Sequence, residues 1–423
     1  MHIKDFDPYD FSKKEIEGVT VYYKNLPWAP CIHTRFTFSV GSFNDPEGKE
    51  GVAHFLEHMM FDGSPSLPTK KDIDEFSRLY MLKSHNATTG YNWTSYHGKF
   101  LPEHFATVLK MFAEQVSQPL LKDEDVEHER KVITQEAWGR FKNEKLLKYI
   151  KEMVNILYSK HVRGHFFSPL GWPETVAKIT QKDIKDFHKK YYVKENLSIL
   201  LVGAVEEKHV DMLGDFLKTI PSGGKAILDE GEMGKPLQNR IEKNSEEIGD
   251  PQEQLEFTIM RVLGKQGEQE EYAGREAVSL LYDALFERLR TEKSLCYGVN
   301  VGNRSYKSFS EYIISVKTSE EKLELAEKEI WNILEEIIDG KWKDRFVLIH
   351  KLIIDTTRSR ERLSSDIIQN SSNDLVNGER IETLEEIIEN HGRVKYEDVV
   401  SFIKKTFTKD DTLTEVIYPA KKA

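Results

Sequence analysis

The chain has 423 residues, 39% hydrophobic and 31% charged, and 60 Lys and Arg against 71 Asp and Glu give a formal charge of −11. At about 150 residues per domain the length points to two or three domains, and the composition excludes collagenous, low-complexity and wholly disordered classes. The acidic balance leaves no basic excess for nucleic acid or an anionic membrane surface.

In chain order, MHIKDFDPYDFSKK at the start lacks the apolar core of a signal peptide. Phe36, Phe38 and Val40 alternate with polar residues as in a half-buried strand. Helical spacing follows around 102–117 and 123–155, and the apolar stretch 197–205 reads as a closing strand. That is the longest apolar run, well short of the ~20 residues that span a bilayer. Residues 221–240, rich in Gly, Pro and charge, read as a linker. The order then repeats: Leu255, Phe257 and Ile259 alternate, helices are predicted near 269–292 and 319–338, and Val416 to Tyr418 close the chain. ITQKDIKDFHKKYYVKE at 179–195 aligns with VKYEDVVSFIKKTFTKD at 394–410, an offset of 215, with Asp183/Asp398, Phe187/Phe402, Lys189/Lys404, Lys190/Lys405 and Lys194/Lys409 identical. The expectation is an α+β protein of two duplicated domains, 1–220 and 241–423, each a mostly antiparallel sheet packed with helices. Two cysteines, Cys31 and Cys296, exclude a disulfide framework and a Cys-ligated zinc site. The expected compartment is the cytoplasm, with no nucleic-acid or membrane partner.

GVAHFLEHMMFDGS at 51–64 carries His54, Glu57 and His58 in the spacing H-x-x-E-H. On a helix, residues four apart stack, so both imidazoles reach one ion while Glu57 addresses a bound water. The plain alternative is a helix with two surface histidines. A catalytic zinc wants a third protein ligand. Glu129 and Glu136, seven apart in DEDVEHERKVITQEAWGR, lie on one helical face; the spacing does not choose between them, and a solvated acidic face fits as well.

The motif, its flanks VGSFNDPEGKEGVAHFLEHMMFDGS and SPLGWPETVAKITQKDIKDFHKKYYVKENLSILLVGAV, and the paired glutamates resemble the pitrilysin/insulinase family, which includes the mitochondrial processing peptidase. The resemblance spans nearly the whole chain and implies a zinc endopeptidase with one Zn2+ per chain. By that resemblance His54, His58 and Glu136 hold zinc and Glu129 supports a ligating histidine. Glu57 is then the general base for a metal-activated water attacking the scissile carbonyl.

Read by alternation, SHNATTGYNWTSYHG at 84–98 is a sheet hairpin; the resemblance makes Asn86 and Ala87 part of an edge strand that pairs with an extended peptide. Arg290 and Tyr297, in LFERLRTEKSLCYGV, read locally as a helix-end cation and a strand anchor. By resemblance they are the pair that binds the substrate backbone and stabilises the oxyanion. The zinc motif and this pair on one chain imply a homodimer closing as a clamshell, each site combining zinc from one chain with Arg290 and Tyr297 from the other. With no transit segment in view, presequence removal is not the expected task; short or unfolded peptides are, with the −11 charge a weak pointer to basic ones. The competing reading is a non-catalytic structural or partner subunit of the same fold.

Overall fold

The computed structural model describes residues 6–158, 168–227, 233–359, 363–376 and 380–420. Two sheets carry the chain. The first holds β1 (Ser12–Ile16), β2 (Val19–Asn25), β3 (Ile32–Phe38), β4 (Asn86–Thr89), β5 (Thr94–Phe100) and β6 (Leu197–Gly203) in the order β1-β2-β6-β3-β5-β4. The second holds β7 (Arg240–Asn244), β8 (Leu255–Gly264), β9 (Gly298–Ser305), β10 (Phe309–Thr318) and β11 (Leu413–Tyr418) in the order β7-β11-β8-β10-β9. Without β1 the two orders are the same. In each sheet the first of these pairs, β2 with β6 and β7 with β11, is parallel and the rest antiparallel. The α+β duplication expected from the repeat is present: helices Gln181–Tyr191 and Tyr396–Thr406 each lead into the strand β6 or β11.

Period-2 burial builds the first core. Ile32, Phe36 and Phe38 of β3 point into a cluster with Val52, Phe55, Leu56 and Phe112, while His33 and Arg35 point to the other face. The second core gathers Phe257, Ile259, Leu280, Ile330 and Phe402.

The chain forms two compact units, and they are not the contiguous halves 1–220 and 241–423. One comprises Met1–Arg140, Phe166–Asp229 and Glu361–Thr383; the other comprises Phe141–His165, Glu230–Arg360 and Leu384–Ala423. The predicted helix over 123–155 is two helices, Asp123–Phe141 and Glu144–Tyr158, because Lys142 turns to a positive φ of 60°. The helix after that break packs in the second unit, where Ile156 meets Ile241 and Leu413 and Tyr149 donates to Glu415. In return the helix Ser364–Val376 lies on β3 and β6 of the first unit, with Ser372 accepting from Arg35 at 3.0 Å. These two helices start 220 residues apart and end 218 apart, so the duplication includes the exchange. Among the described residues no helix is long and apolar enough to cross a membrane.

Candidate active site

The H-x-x-E-H segment forms the helix Val52–Met59. Its start is fixed by Asp45, whose carboxylate accepts from the N–H of Gly51 at 2.6 Å and of Ala53 at 2.9 Å, satisfying donors that a helix leaves open. Gly51 sits at φ 103°, and a Cβ there would press on the backbone of Leu170 and Gly171 at 3.0 Å, so glycine is required. Val52, Ala53, Phe55, Leu56 and Met59 are fully buried. The helix is therefore anchored on its apolar face, and the two histidines take the other.

His54 and His58 stand with ring centroids 4.7 Å apart. Glu136, from the helix Asp123–Phe141, brings Oε2 to 3.9 Å from His54 Nε2 and 3.6 Å from His58 Nε2. These three residues are the one group among the described residues whose ligand atoms all lie within 4.8 Å of one another. The Nδ1 of His58 lies 2.9 Å from Glu129 Oε2, which assigns its proton to that nitrogen and leaves Nε2 as a lone pair facing Glu136. Three acceptors thus converge at separations longer than a hydrogen bond, close to the ~3.3 Å edge of a tetrahedron with ~2.05 Å arms. The donor set and spacing fit zinc.

The electrostatics of the two histidines differ. Burial, then the neighbouring His58, pushes His54 down to about 3, so it is a neutral ligand. His58 is pulled down by burial, but the Glu129 hydrogen bond and the carboxylates of Glu57, Glu129 and Glu136 more than reverse this and raise it. Glu129 is fully buried; burial pushes its pKa up, and hydrogen bonds from His58 and from Lys70 Nζ at 2.7 Å bring it down to about 2. Lys70 also reaches Asp62 at 3.5 Å.

Glu57 is buried and is not among the converging ligand atoms. Its Oε2 accepts from Thr89 Oγ1 at 2.6 Å. Burial raises its pKa, with the Thr89 hydrogen bond and His58 opposing, which places a proton acceptor beside the metal position. Thr89 ends β4, the edge strand of the first sheet. Asn86 is exposed and Ala87 buried at its other end, so Asn86 and Ala87 lie on a sheet edge with one side unpaired among the described residues.

Arg290 and Tyr297 belong to the second unit. Arg290 lies in a π-helical turn, Phe286–Glu292, a local form common at functional sites. It is exposed over the Phe286 ring, whereas Arg288 is tied to Glu329 and Glu336. Tyr297 is 57% exposed beside the start of β9. Thr89 and Lys70 were not foreseen from sequence, since a threonine in a strand and a lysine in a helix carry no signal of their own.

The second unit has no such ligand group among its described residues. Where the repeat places its counterpart of the motif helix, Glu268–Leu285, fully buried Glu276 lies 2.9 Å from Nδ1 of both His350 and His391. Glu276 follows His58 by 218 residues and His350 follows Glu129 by 221, so a His–Glu bond persists with its two members exchanged.

Comparison with known proteins agrees with this division. Residues 20–169 match the insulinase (peptidase family M16) domain, and residues 178–346 match the domain described as peptidase M16 inactive domain. A zinc protease of Rickettsia felis is 24% identical over 402 residues, covering 92% of this chain and 93% of that protein. The zinc protease PqqE of Helicobacter pylori is 30% identical over 213 residues, 50% of this chain and 47% of its own length. The crystal structure of the first half of the periplasmic protease PqqL from Escherichia coli has the same fold, with a TM-score of 0.80 at 18% identity over 97% of this chain and 92% of that one. These likenesses support a peptidase with zinc as its metal. The chain belongs to the insulinase family, peptidase family M16.

Proposed function

We propose that this protein is a zinc-dependent endopeptidase that cuts short or unfolded peptides held in extended form. The observation that carries the reading is the approach of His54 Nε2, His58 Nε2 and Glu136 Oε2 with no hydrogen bond among them, beside Glu57. One zinc per chain, when bound, supplies Lewis acidity for the water and the scissile carbonyl. His54, His58 and Glu136 hold it, and Glu129 keeps His58 in the ligating tautomer. Glu57 takes the proton of the attacking water and delivers it to the leaving amine. β4, with Asn86 and Ala87, offers backbone donors and acceptors to a peptide laid alongside, whatever its side chains.

Arg290 and Tyr297 complete the site by holding the substrate backbone and the developing oxyanion. In this reading they come from a second copy of the chain in a homodimer. Mixing Glu57→Gln with Arg290→Ala chains then restores activity that neither has alone, and failure to restore it removes the shared site.

The central experiment is mass spectrometry of a mixed set of peptides incubated with the wild-type chain, with zinc quantified in parallel. Glu57→Gln is expected to keep zinc and lose cleavage, and Glu136→Gln to lose zinc. The opposite pattern overturns the roles. Neither zinc nor cleavage in the wild type leaves a non-catalytic subunit.

A further inference from the structure

The face of the first sheet turned away from its apolar core carries a feature the peptidase chemistry does not use. His33, Thr34, Arg35, Ser84, His97, Gly98, Lys99 and Ile368 line an open cavity of about 100 Å³. No carboxylate lines it among the described residues. Arg35 is 9% exposed. Its two terminal nitrogens donate to neutral partners, Ser372 Oγ at 3.0 Å and Gln369 Oε1 at 3.2 Å. Its Nε is buried with no partner.

A guanidinium taken out of water is costly unless a counter-charge meets it. Among the described residues neither Arg35 nor Lys99 forms an ion pair. Two imidazoles share the wall. His33 and His97 are both lowered, first by burial and then by the charge of Lys99 and of Arg35 respectively, His97 to about 4. The cavity is thus a largely apolar space with one buried cation that has no counter-charge among the described residues.

Its position ties it to β4. Arg35 of β3 pairs with His97 of β5, and His97 pairs with Asn86 of β4, so the three stand in one row across the sheet on one face. At the other end of β4, Thr89 holds Glu57. From Thr89 to Ser84 is five residues, about 17 Å of extended chain at ~3.3 Å per residue. A peptide lying along β4 would run from Thr89, on the Glu57 face of the sheet, to Asn86, on the cavity face.

We propose that this cavity is a binding site for a small oxyanion, held by Arg35 and Lys99 and occupied by a carboxylate of a peptide lying along β4 or by a free inorganic anion. The peptide source rests on the peptidase reading; the anion site itself does not.

The test uses the full-length Glu57→Gln chain, which leaves peptides uncut. Sulfate, compared with chloride at equal ionic strength, is titrated by calorimetry. Saturable sulfate binding is expected, weakened at least tenfold by Arg35→Met and by Lys99→Ala. Lys99 is exposed, so its variant keeps the test decisive should Arg35→Met fail to fold. Sulfate binding no better than chloride, or binding indifferent to Lys99→Ala, overturns the site. The source follows from one peptide prepared as free acid and as C-terminal amide. An acid at least tenfold tighter and displaced by sulfate assigns a peptide carboxylate; equal binding of the two with sulfate still retained assigns a free anion. Sulfate binding without peptide cleavage by the wild type would overturn the peptidase and keep the site.

Discussion

Thr89 Oγ1 donates to Glu57 Oε2 at 2.6 Å, so the residue that ends the edge strand also orients the carboxylate proposed as the general base. The bond favours the charged carboxylate against the burial that opposes it. Thr89→Val keeps the strand shape and removes the donor. The pKa of Glu57 then rises further, the acid limb of kcat/KM moves to higher pH, and kcat/KM at neutral pH falls about tenfold, the value of one such bond at ~1–1.5 kcal/mol. Zinc content is unchanged. A pH–rate profile superimposable on that of the wild type would dismiss the role given to Thr89.

Glu129→Gln separates support from ligation. Burial pulls His58 down, and the Glu129 hydrogen bond together with the charges of Glu57, Glu129 and Glu136 outweighs it, so in the zinc-free variant, with the Glu129 share removed, His58 titrates at lower pH than in the zinc-free wild type. NMR of the imidazole protons reads this directly. Zinc affinity is expected to fall about 10–100-fold through loss of the tautomer lock. An unmoved His58 titration would contradict it.

Asp45 caps the helix that bears His54 and His58. Asp45→Ala is expected to cost about 1–2 kcal/mol in chemical denaturation and to weaken zinc binding by fraying the turn that carries His54. A variant of wild-type stability and zinc affinity would show that the core face alone sets this helix.

In the second unit Glu415 is 8% exposed, and burial raises its pKa to about 7 from an ordinary 4.5. The folded chain therefore binds this proton more tightly than the unfolded one, and the stability it confers is full below about pH 4.5 and is lost as pH rises through about 7. Glu415→Gln keeps an acceptor for Tyr149 and removes the titration. Urea unfolding should show the variant gaining up to about 3 kcal/mol over the wild type at pH 8 and nothing at pH 4.5. A pH-independent difference would place Glu415 outside this linkage.

The sequence revealed the duplication because the two copies of one amphipathic helix kept their lysines and apolar positions, as in Phe187 and Phe402. It revealed the motif helix because His54 and His58 obey helical spacing. Two features were illegible for a physical reason: they depend on partners far along the chain. The break at Lys142 is a single positive φ inside a continuous helical pattern. The destination of Ser364–Val376 is set by contacts such as Arg35 with Ser372, 337 residues apart, and periodicity records only that a helix has an apolar face. Of Glu129 and Glu136, spacing gave both and the role of neither. It is the bond from Glu129 to His58 on one side and the open approach of Glu136 on the other that separate them.

The exchanged helices bear on how the molecule is made and taken apart. Either half, expressed alone up to or from the 221–240 segment, would lack a helix that packs on it: the first half without Ser364–Val376 leaves Arg35 and its face of β3 bare, and the second without Glu144–Tyr158 uncovers Ile241 and Leu413. A protease nick in that segment should accordingly yield two fragments that co-elute until denaturant is added. During synthesis the amino-terminal unit cannot finish folding until 383 residues have left the ribosome.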